Sequence, residues 1–583
     1  MSPYIDDNKR LFEWEMSIMS KYAIPYRVEV PTGKVRITEG RLRHTIDNNI
    51  EFLKGFDLDR LLYWFRVNAG KDAPSVPYAA DFGIFENYLH GQTVGEFLMG
   101  AGTTLLWQED STLRNMVQNI ISELEEYQKP NGFILPIDES ELRDREYPNY
   151  TRAWITFGLL DAGYAGEEKG FKLARGMSDY FNHSKVLPYV KDMNLGFQGI
   201  LASTRMYDAP CGKMEDIEVA KKYYQETWWL QELIDCDHRA IYDHPGNHPH
   251  STLLTTLEAY LDMYRVTGEQ IYWDAVTSAL KMYEDKWQHV GGGIAMCEMD
   301  KYYPGCLWLS PDHNYNELCS TNFWILINQR MRRLDPDNAH YADEFENSIY
   351  NVLLASQVGS TGFHYLNFLE RSKDWRYLDR ATCCAGLGTR LCGLLPQFLY
   401  AYDDAGVYVD MYACSEADLD NGISLRCETD IPDGGHVKIT ITKADRPFTL
   451  RLRIPRWATK DRSSYYENHE NVNEGDVFEF DLPHQFNVTR YTGGERLPDV
   501  ERYALERGPL LYAAMGTPSP VNVSWDVNKP EDWFAPLNGK VNKLSLKNDN
   551  RHEYWAYCDI HDEPFSVYPA VREPANVSEE HYE

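Results

Sequence analysis

The sequence predicts a multidomain α+β chain, a long helical region followed by a β-rich one. Three observations carry that prediction. From about residue 40 to 400, apolar residues recur every three or four positions. Near residue 405 the period drops to two. The 583 residues also exceed what one ordinary core organises.

The elements follow in chain order. Residues 26–30 (Tyr26-Arg27-Val28-Glu29-Val30) and 35–37 (Val35-Arg36-Ile37) read as strands, expected to pack on the C-terminal sheets. Leu113, Met116, Val117, Ile120, Ile121 and Leu124 keep helical spacing after Ser111, which reads as the cap; Lys129-Pro130-Asn131-Gly132 stops that helix. Leu253, Leu257, Tyr260, Leu261 and Tyr264 form another stripe. Thr267-Gly268 breaks it, and Trp273, Val276, Leu280 and Tyr283 begin the next. Such helical hairpins, repeated with glycine-rich turns, point to an α/α toroid or a bundle; periodicity alone does not choose. Beyond residue 405, Val407, Val409 and Met411 alternate with Tyr408, Asp410 and Tyr412. Residues 437–441, 448–454 and 478–482 also have period two, separated by turns at Asp433-Gly434-Gly435 and 473–476. A β-sandwich is expected there. The expected division is 1–40 as strands packing on the β region, 41–404 as the helical part, and 405–583 as the sandwich region, in one or two small sandwiches.

Composition narrows the function. With 58 basic and 89 acidic residues the net charge is −31, which repels a phosphate backbone and argues against nucleic acid. Aromatic residues make up 13%, including 40 Tyr and 15 Trp, enough to fill cores and still leave faces that stack on sugar rings. No stretch approaches the roughly 20 apolar residues that span a bilayer, so no membrane partner is expected. The first residues lack a basic and then apolar leader pattern. A cytoplasmic location is therefore expected, or a periplasmic one where a leader has been removed. Eleven cysteines without regular spacing do not form a disulfide framework; mostly reduced thiols, a few reserved for metal, fit better.

The chemistry concentrates at a few positions. Cys383 and Cys384 are adjacent and are followed by Ala385-Gly386-Leu387-Gly388, which reads as a glycine-rich turn; Glu317 and Cys319 lie two apart upstream. Three sulfurs and one carboxylate make a full tetrahedral set for zinc. The two-residue spacing lets Glu317 and Cys319 face one ion from an extended segment or a helix start. A zinc-held sulfur is deprotonated at neutral pH and can also serve as a nucleophile. Gly291-Gly292-Gly293-Ile294 reads as a flexible stretch lining a pocket and leads to Glu298. Against this stands the plain alternative of inert buried thiols and a solvated carboxylate.

These motifs in this order resemble glycoside hydrolase family 127, the β-L-arabinofuranosidase family, over most of the chain. The anchors are residues 59–66 (Asp59-Arg60-Leu61-Leu62-Tyr63-Trp64-Phe65-Arg66) with Asn68-Ala69-Gly70, residues 291–294 leading to Glu298, and Tyr315-Asn316-Glu317-Leu318-Cys319. Cys383-Cys384, residues 452–458 (Leu452-Arg453-Ile454-Pro455-Arg456-Trp457-Ala458) and residues 507–512 (Arg507-Gly508-Pro509-Leu510-Leu511-Tyr512) complete them. The resemblance implies an (α/α)6 barrel with β-sandwich domains and a retaining exo-glycosidase acting on furanosyl residues of plant glycans. It implies Cys383 as nucleophile and Glu298 as acid/base. Zinc would be held by Glu317, Cys319 and Cys384, with Cys383 as fourth ligand at rest. His250 matches a family histidine that contacts sugar, and Tyr315 is placed to touch substrate or to pack. A homo-oligomer is left open.

The chain departs from the family where Tyr-Cys-Ala-Gly-His is replaced by Tyr150-Thr151-Arg152-Ala153-Trp154, and Gly-His-x-x-Gly-His by Gly91-Gln92-Thr93-Val94-Gly95-Glu96. Pocket histidines are replaced while the reacting residues remain, which bears on the sugar more than on the mechanism. Arg152 raises an alternative substrate, a carboxylated branched pentose of pectin. Alternatives of another class are an α/α-toroid polysaccharide lyase or epimerase, which would use a His/Tyr or His/His pair, and a non-catalytic sugar-binding protein with structural zinc.

Overall fold

The protein is described by a computed structural model covering residues 21–78, 89–143, 148–184, 198–223, 225–244, 250–295, 314–373, 382–493, 497–517, 520–547 and 549–572. Among these, twelve helices have nine or more residues. They are α1 (Gly40–Lys54), α2 (Gln92–Leu105), α3 (Ser111–Tyr127), α4 (Pro148–Tyr164), α5 (Lys169–His183) and α6 (Gln198–Asp208). Then come α7 (Met214–Tyr223), α8 (His250–Thr267), α9 (Gln270–Lys286), α10 (Leu318–Leu334), α11 (His340–Ser348) and α12 (Cys383–Leu394).

Their packing is cyclic. α2 packs on α4, α4 on α6, α6 on α8, α8 on α10, α10 on α12, and α12 returns to α2. A second helix backs each member: α3 on α2, α5 on α4, α7 on α6, α9 on α8, α11 on α10, and α1 on α12 and α2. The sequence shows the distinction. The backing helix α3 buries one stripe, Leu113, Met116, Val117, Ile120, Ile121 and Leu124. Every residue of α2 is buried, as expected of a helix enclosed on all sides. The α2–α4 approach is close because it is made at glycine: a Cβ on Gly95 would lie 2.4 Å from the Trp154 carbonyl. The cap of α3 is Asp110 and not Ser111. The Asp110 carboxylate accepts from the Thr112 and Leu113 amides, and Ser111 is already the first helical residue.

The β region forms three larger sheets. Strands Val35–Ile37, Ser415–Asp418, Ile423–Thr429, His436–Ala444 and Val477–Asp481 make a five-stranded sheet in that order. Strand Val35–Ile37 pairs antiparallel with Ser415–Asp418, Val35 opposite Ala417, whereas residues 26–30, expected as a strand, form none and meet the β region through a single bridge, Glu29 to Tyr402. A four-stranded sheet runs Tyr465–Val472, Phe448–Ile454, Gly406–Val409, Tyr400–Asp403; the central pair is parallel. An eight-stranded sheet occupies most of residues 486–566. Val437, Ile439 and Ile441, then Phe448, Leu450 and Leu452, are buried in alternation, as their sequence period requires. The Val407 run differs. Its strand ends at Val409 and both faces are covered, since Tyr408 packs edge-on against Tyr466 and the Asp410 carboxylate takes the Arg332 guanidinium.

Two arginines dock the β region on the helices. Arg453, fully buried, pairs with Asp343 and Glu346 of α11, and Arg456 pairs with Glu344. The Trp457 indole donates to Glu346 at 2.9 Å. Such buried charges are tolerated because each is paired and hydrogen-bonded. Nearby, Asn351 donates to the Pro509 carbonyl at 2.9 Å and accepts from the Leu511 amide at 2.8 Å. The motifs at 452–458 and 507–512 are thus seams between helices and sheets. No helix among the described residues is long and apolar enough to cross a membrane.

Candidate active site

Strand Tyr315–Glu317 runs straight into α10, so Glu317 ends the strand and Cys319 sits in the first helical turn. This is the extended-to-helix junction that the two-residue spacing calls for. Cys383 and Cys384 open α12, whose cap is Thr382, with its hydroxyl accepting from the Ala385 amide at 3.1 Å. The residues after the cysteine pair are therefore helical, which corrects the expected turn. Their glycines serve close packing: a Cβ on Gly386 would lie 2.4 Å from Glu96 Cγ, and one on Gly388 2.8 Å from the Phe363 ring.

One ligand atom from each of Glu317, Cys319, Cys383 and Cys384 lies within 4.8 Å of the other three. Cys384 Sγ is 3.1 Å from Cys319 Sγ. Glu317, Cys319 and Cys384 are buried and Cys383 is half-buried. Four ligands about a zinc ion, with Zn–S bonds of about 2.3 Å, stand about 3.8 Å apart. The spacing here brackets that value, so the donor set fits such an ion. All nine described cysteines are free.

The surroundings tune the sulfurs. The Cys319 and Cys384 thiols, and then the Tyr365 and Tyr150 hydroxyls, hydrogen-bond to Cys383 and hold it well below the ordinary thiol range. Its sulfur is 3.6 Å from the Tyr365 hydroxyl. Burial pushes Cys319 and Cys384 well up. Burial, with the Cys383 charge second, also raises Tyr150. Cys319, Cys383 and Cys384 all lie in first turns of helices, where the positive end of the helix dipole favours a thiolate. The Ser320 hydroxyl donates to Glu317 Oε2 at 2.6 Å and fixes the carboxylate.

The other expected residues are distributed as follows. Glu298 lies outside the described residues. The chain leading to it is not the flexible stretch expected: Gly291, Gly292 and Gly293 are buried. Gly291 and Gly292 take φ values of 84° and 83°, a conformation open to glycine at little cost, and the Gly292 carbonyl accepts from Ser348 at 2.9 Å. Ala295 then bridges Asn316, next to Glu317. Tyr315 is half-buried, edge-on to Phe368, and by strand period shares the face of Glu317. His250 starts α8, fully buried, with Nδ1 3.1 Å from the Tyr283 hydroxyl. Arg152 is buried on α4, donating to Ser203 at 3.3 Å and lying over the Phe181 ring. It stands two residues, about 200° of helical turn, from Tyr150, so it occupies the opposite face of α4. Tyr150, Tyr365, Ser320 and Thr382 were not singled out by sequence. Only Thr382 carried a local signal, a hydroxyl residue three before the amide it caps.

Comparison with known proteins gives a family. The β-L-arabinofuranosidase GH127 catalytic-domain profile matches residues 34–396, and the GH127 middle-domain profile matches 406–479. No curated protein matches the sequence. Among solved structures, a GH127 β-L-arabinofuranosidase from Geobacillus stearothermophilus T6 is 17% identical, covers 93% of this chain and all of its own, and has a TM-score of 0.70. A GH127 β-arabinofuranosidase is 18% identical, with coverage of 94% and 99% and a TM-score of 0.71. A structure titled glycoside hydrolase is 17% identical, with coverage of 95% and 98% and a TM-score of 0.69. At these identities the likeness is one of fold, a helix-rich part followed by a β-rich part. The catalytic-domain match spans well over half of the sequence, and the chain therefore belongs to glycoside hydrolase family GH127, the β-L-arabinofuranosidase family.

Proposed function

We propose that this glycoside hydrolase removes non-reducing-end β-L-arabinofuranosyl, or closely related furanosyl, residues from plant glycans with retention of configuration. Cys383 is its nucleophile and Glu298 its acid/base. Zinc is its metal, held by Glu317, Cys319 and Cys384, with Cys383 as the fourth ligand at rest. The observation that carries this reading is the convergence of three sulfurs and a carboxylate from two distant segments on one buried point in a chain of this family. The cyclic packing of α2, α4, α6, α8, α10 and α12, each backed by a second helix, supports an (α/α)6 barrel. The two sheets between residues 35 and 481 support a sandwich after it. The reading divides the chain at residues 40 and 404.

Zinc, when bound, supplies the positive charge that keeps the sulfurs as thiolates at neutral pH. The rest is done by side chains. Cys383 Sγ attacks the anomeric carbon while the Glu298 carboxyl gives its proton to the departing oxygen, so one C–S bond forms as one C–O bond breaks. Glu298, now a carboxylate, takes a proton from water. That water attacks the same carbon from the face the leaving group vacated and expels the thiolate, and two inversions give retention. Ala295, three residues before Glu298, pairs beside Glu317. Tyr150 and Tyr365 hold the attacking sulfur by hydrogen bonds.

The test is a panel of nitrophenyl glycosides and pectic oligosaccharides, run with and without a zinc chelator, with metal analysis and NMR of the first-formed anomer. Cleavage of a β-L-arabinofuranoside, lost on chelation and restored by zinc, with a retained product, is expected. An inverted product, or full activity in protein stripped of metal, would overturn the reading.

A further inference from the structure

The strand carrying Glu317 is only three residues long, and a short pair of strands does not hold its place alone. It lies between two neighbours, and both are fastened to the same distant stretch of chain, residues 557–568. On one side is the loop 288–295. The Tyr568 hydroxyl meets His289 Nδ1 at 3.1 Å and accepts from the Val290 amide at 3.4 Å. His289 donates its amide to the Gly293 carbonyl at 2.8 Å, which closes the turn. From there the Ile294 carbonyl accepts from the Glu317 amide at 3.1 Å, and Ala295 bridges Asn316.

On the other side is strand Leu366–Phe368, paired with the Glu317 strand so that Tyr315 faces Phe368 and Glu317 faces Leu366. The Tyr557 hydroxyl donates to the Phe368 carbonyl at 2.6 Å, and the Val567 amide to the Leu369 carbonyl at 2.8 Å. Phe565 and Ser566 pair with Arg371 and Glu370. The buried Lys373 ammonium donates to the Tyr557 and Ala355 carbonyls at 3.1 and 3.0 Å. A buried ammonium is tolerated only where its protons are taken up, so this contact resists opening.

We propose that the segment 557–568 is a working part of the active site, with Tyr568 and Tyr557 as positioning residues that hold the Glu317 strand from both sides. The proposal deepens the reading above and rests on Glu317 belonging to the reacting centre. A hydroxyl more than 200 positions away in sequence acts on the site through two short chains of backbone hydrogen bonds, not by touching substrate.

The test uses Tyr568→Phe and Tyr557→Phe, each in the full chain, because each removes one hydroxyl and keeps the ring packing. Amide hydrogen exchange over 314–320 is measured with kcat, KM and zinc release to a chelator. Exchange over 314–320 should rise about fivefold and zinc leave about fivefold faster, less than the 10–100-fold typical when a ligand's direct partner is lost. In the same variants kcat should fall with KM little changed. Exchange and kcat within twofold of the parent in both variants would overturn the proposal, as would a uniform rise in exchange along the whole chain. A parent protein without zinc would refute the metal assignment instead, and exchange over 314–320 would still decide the tether.

Discussion

At the scale of single residues, the four donor side chains separate into two kinds. Cys383 is the half-buried sulfur, while Cys319 and Cys384 are buried. Cys383→Ala should lower turnover by about 10³-fold or more while the remaining three donors keep most of the metal. Cys319→Ala should lose metal, stability and turnover together. Kinetics paired with metal analysis of the same samples separates the two, and equal metal loss in both would remove the distinction. Ser320 gives a finer test. Its 2.6 Å hydrogen bond fixes one Glu317 oxygen. Ser320→Ala should weaken zinc binding by about 10- to 100-fold in competition titrations, with little change in kcat once zinc is saturating. The sulfurs were legible in the sequence because vicinal cysteines are rare and a carboxylate two before a cysteine suits a strand-to-helix junction. Tyr150, Tyr365 and Ser320 were not, because each is a common residue type and only tertiary packing brings it to the site.

At the scale of elements, the glycines around the site turned out to be contact surfaces between helices more often than turns. The run after Cys384 looked like a loop because glycine lowers helix propensity. It is helical because Thr382 caps it and because α12 must approach α2 closely, with Glu96 filling the space over Gly386. Tertiary packing overrode local preference there, and only the contact partner, invisible in sequence, reveals it. The two contacts predict similar costs. At Gly95 the opposing atoms are backbone of Trp154, which cannot turn away; at Gly386 Glu96 Cγ would lie 2.4 Å away and Glu96 Cβ, which no rotamer moves, 2.7 Å away. Gly95→Ala and Gly386→Ala should therefore each destabilise by about 3 kcal/mol, the upper end of the usual overpacking range. Gly386→Ala should also lose turnover, since shifting Glu96 disturbs a carboxylate that acts on Tyr150 beside Cys383. Chemical denaturation and kcat of the two variants check both halves. A Gly386→Ala protein with normal kcat would detach Glu96 from the site.

At the scale of the whole molecule, the change of period near residue 405 announced the order, a helix-rich part and then a β-rich part, and Val35–Ile37 pairs with a strand of the latter. What the sequence hid is how the two regions are joined, because buried arginines, histidines and asparagines look like surface residues until their partners are known. Two seam histidines make that joint acid-sensitive. His289, against Tyr568, is pushed by burial to about 3, and His484, edge-on to Trp457, to about 4. An unfolded histidine titrates near 6.5. Above that pH neither state is protonated and the pair adds no pH dependence. Below it the unfolded chain takes up two protons that the native chain refuses, so stability falls as pH falls. The slope approaches about 2.7 kcal/mol per pH unit, twice the single-proton value, until His484 itself titrates. His340, raised by its hydrogen bond to Glu284, has the opposite sign, but its contribution is complete below 6.5 and does not tilt this window. Carboxylates such as Glu258, held at about 2, add to the fall only from about pH 5 downward, where their unfolded forms begin to protonate. Urea melts in the presence of a chelator, so that zinc release does not contribute, should therefore lose stability steadily from about pH 6.5 to 5, above the range where carboxylates protonate. His289→Gln with His484→Gln should flatten that fall, and an equally steep fall in the double variant would place the acid sensitivity elsewhere than the seam.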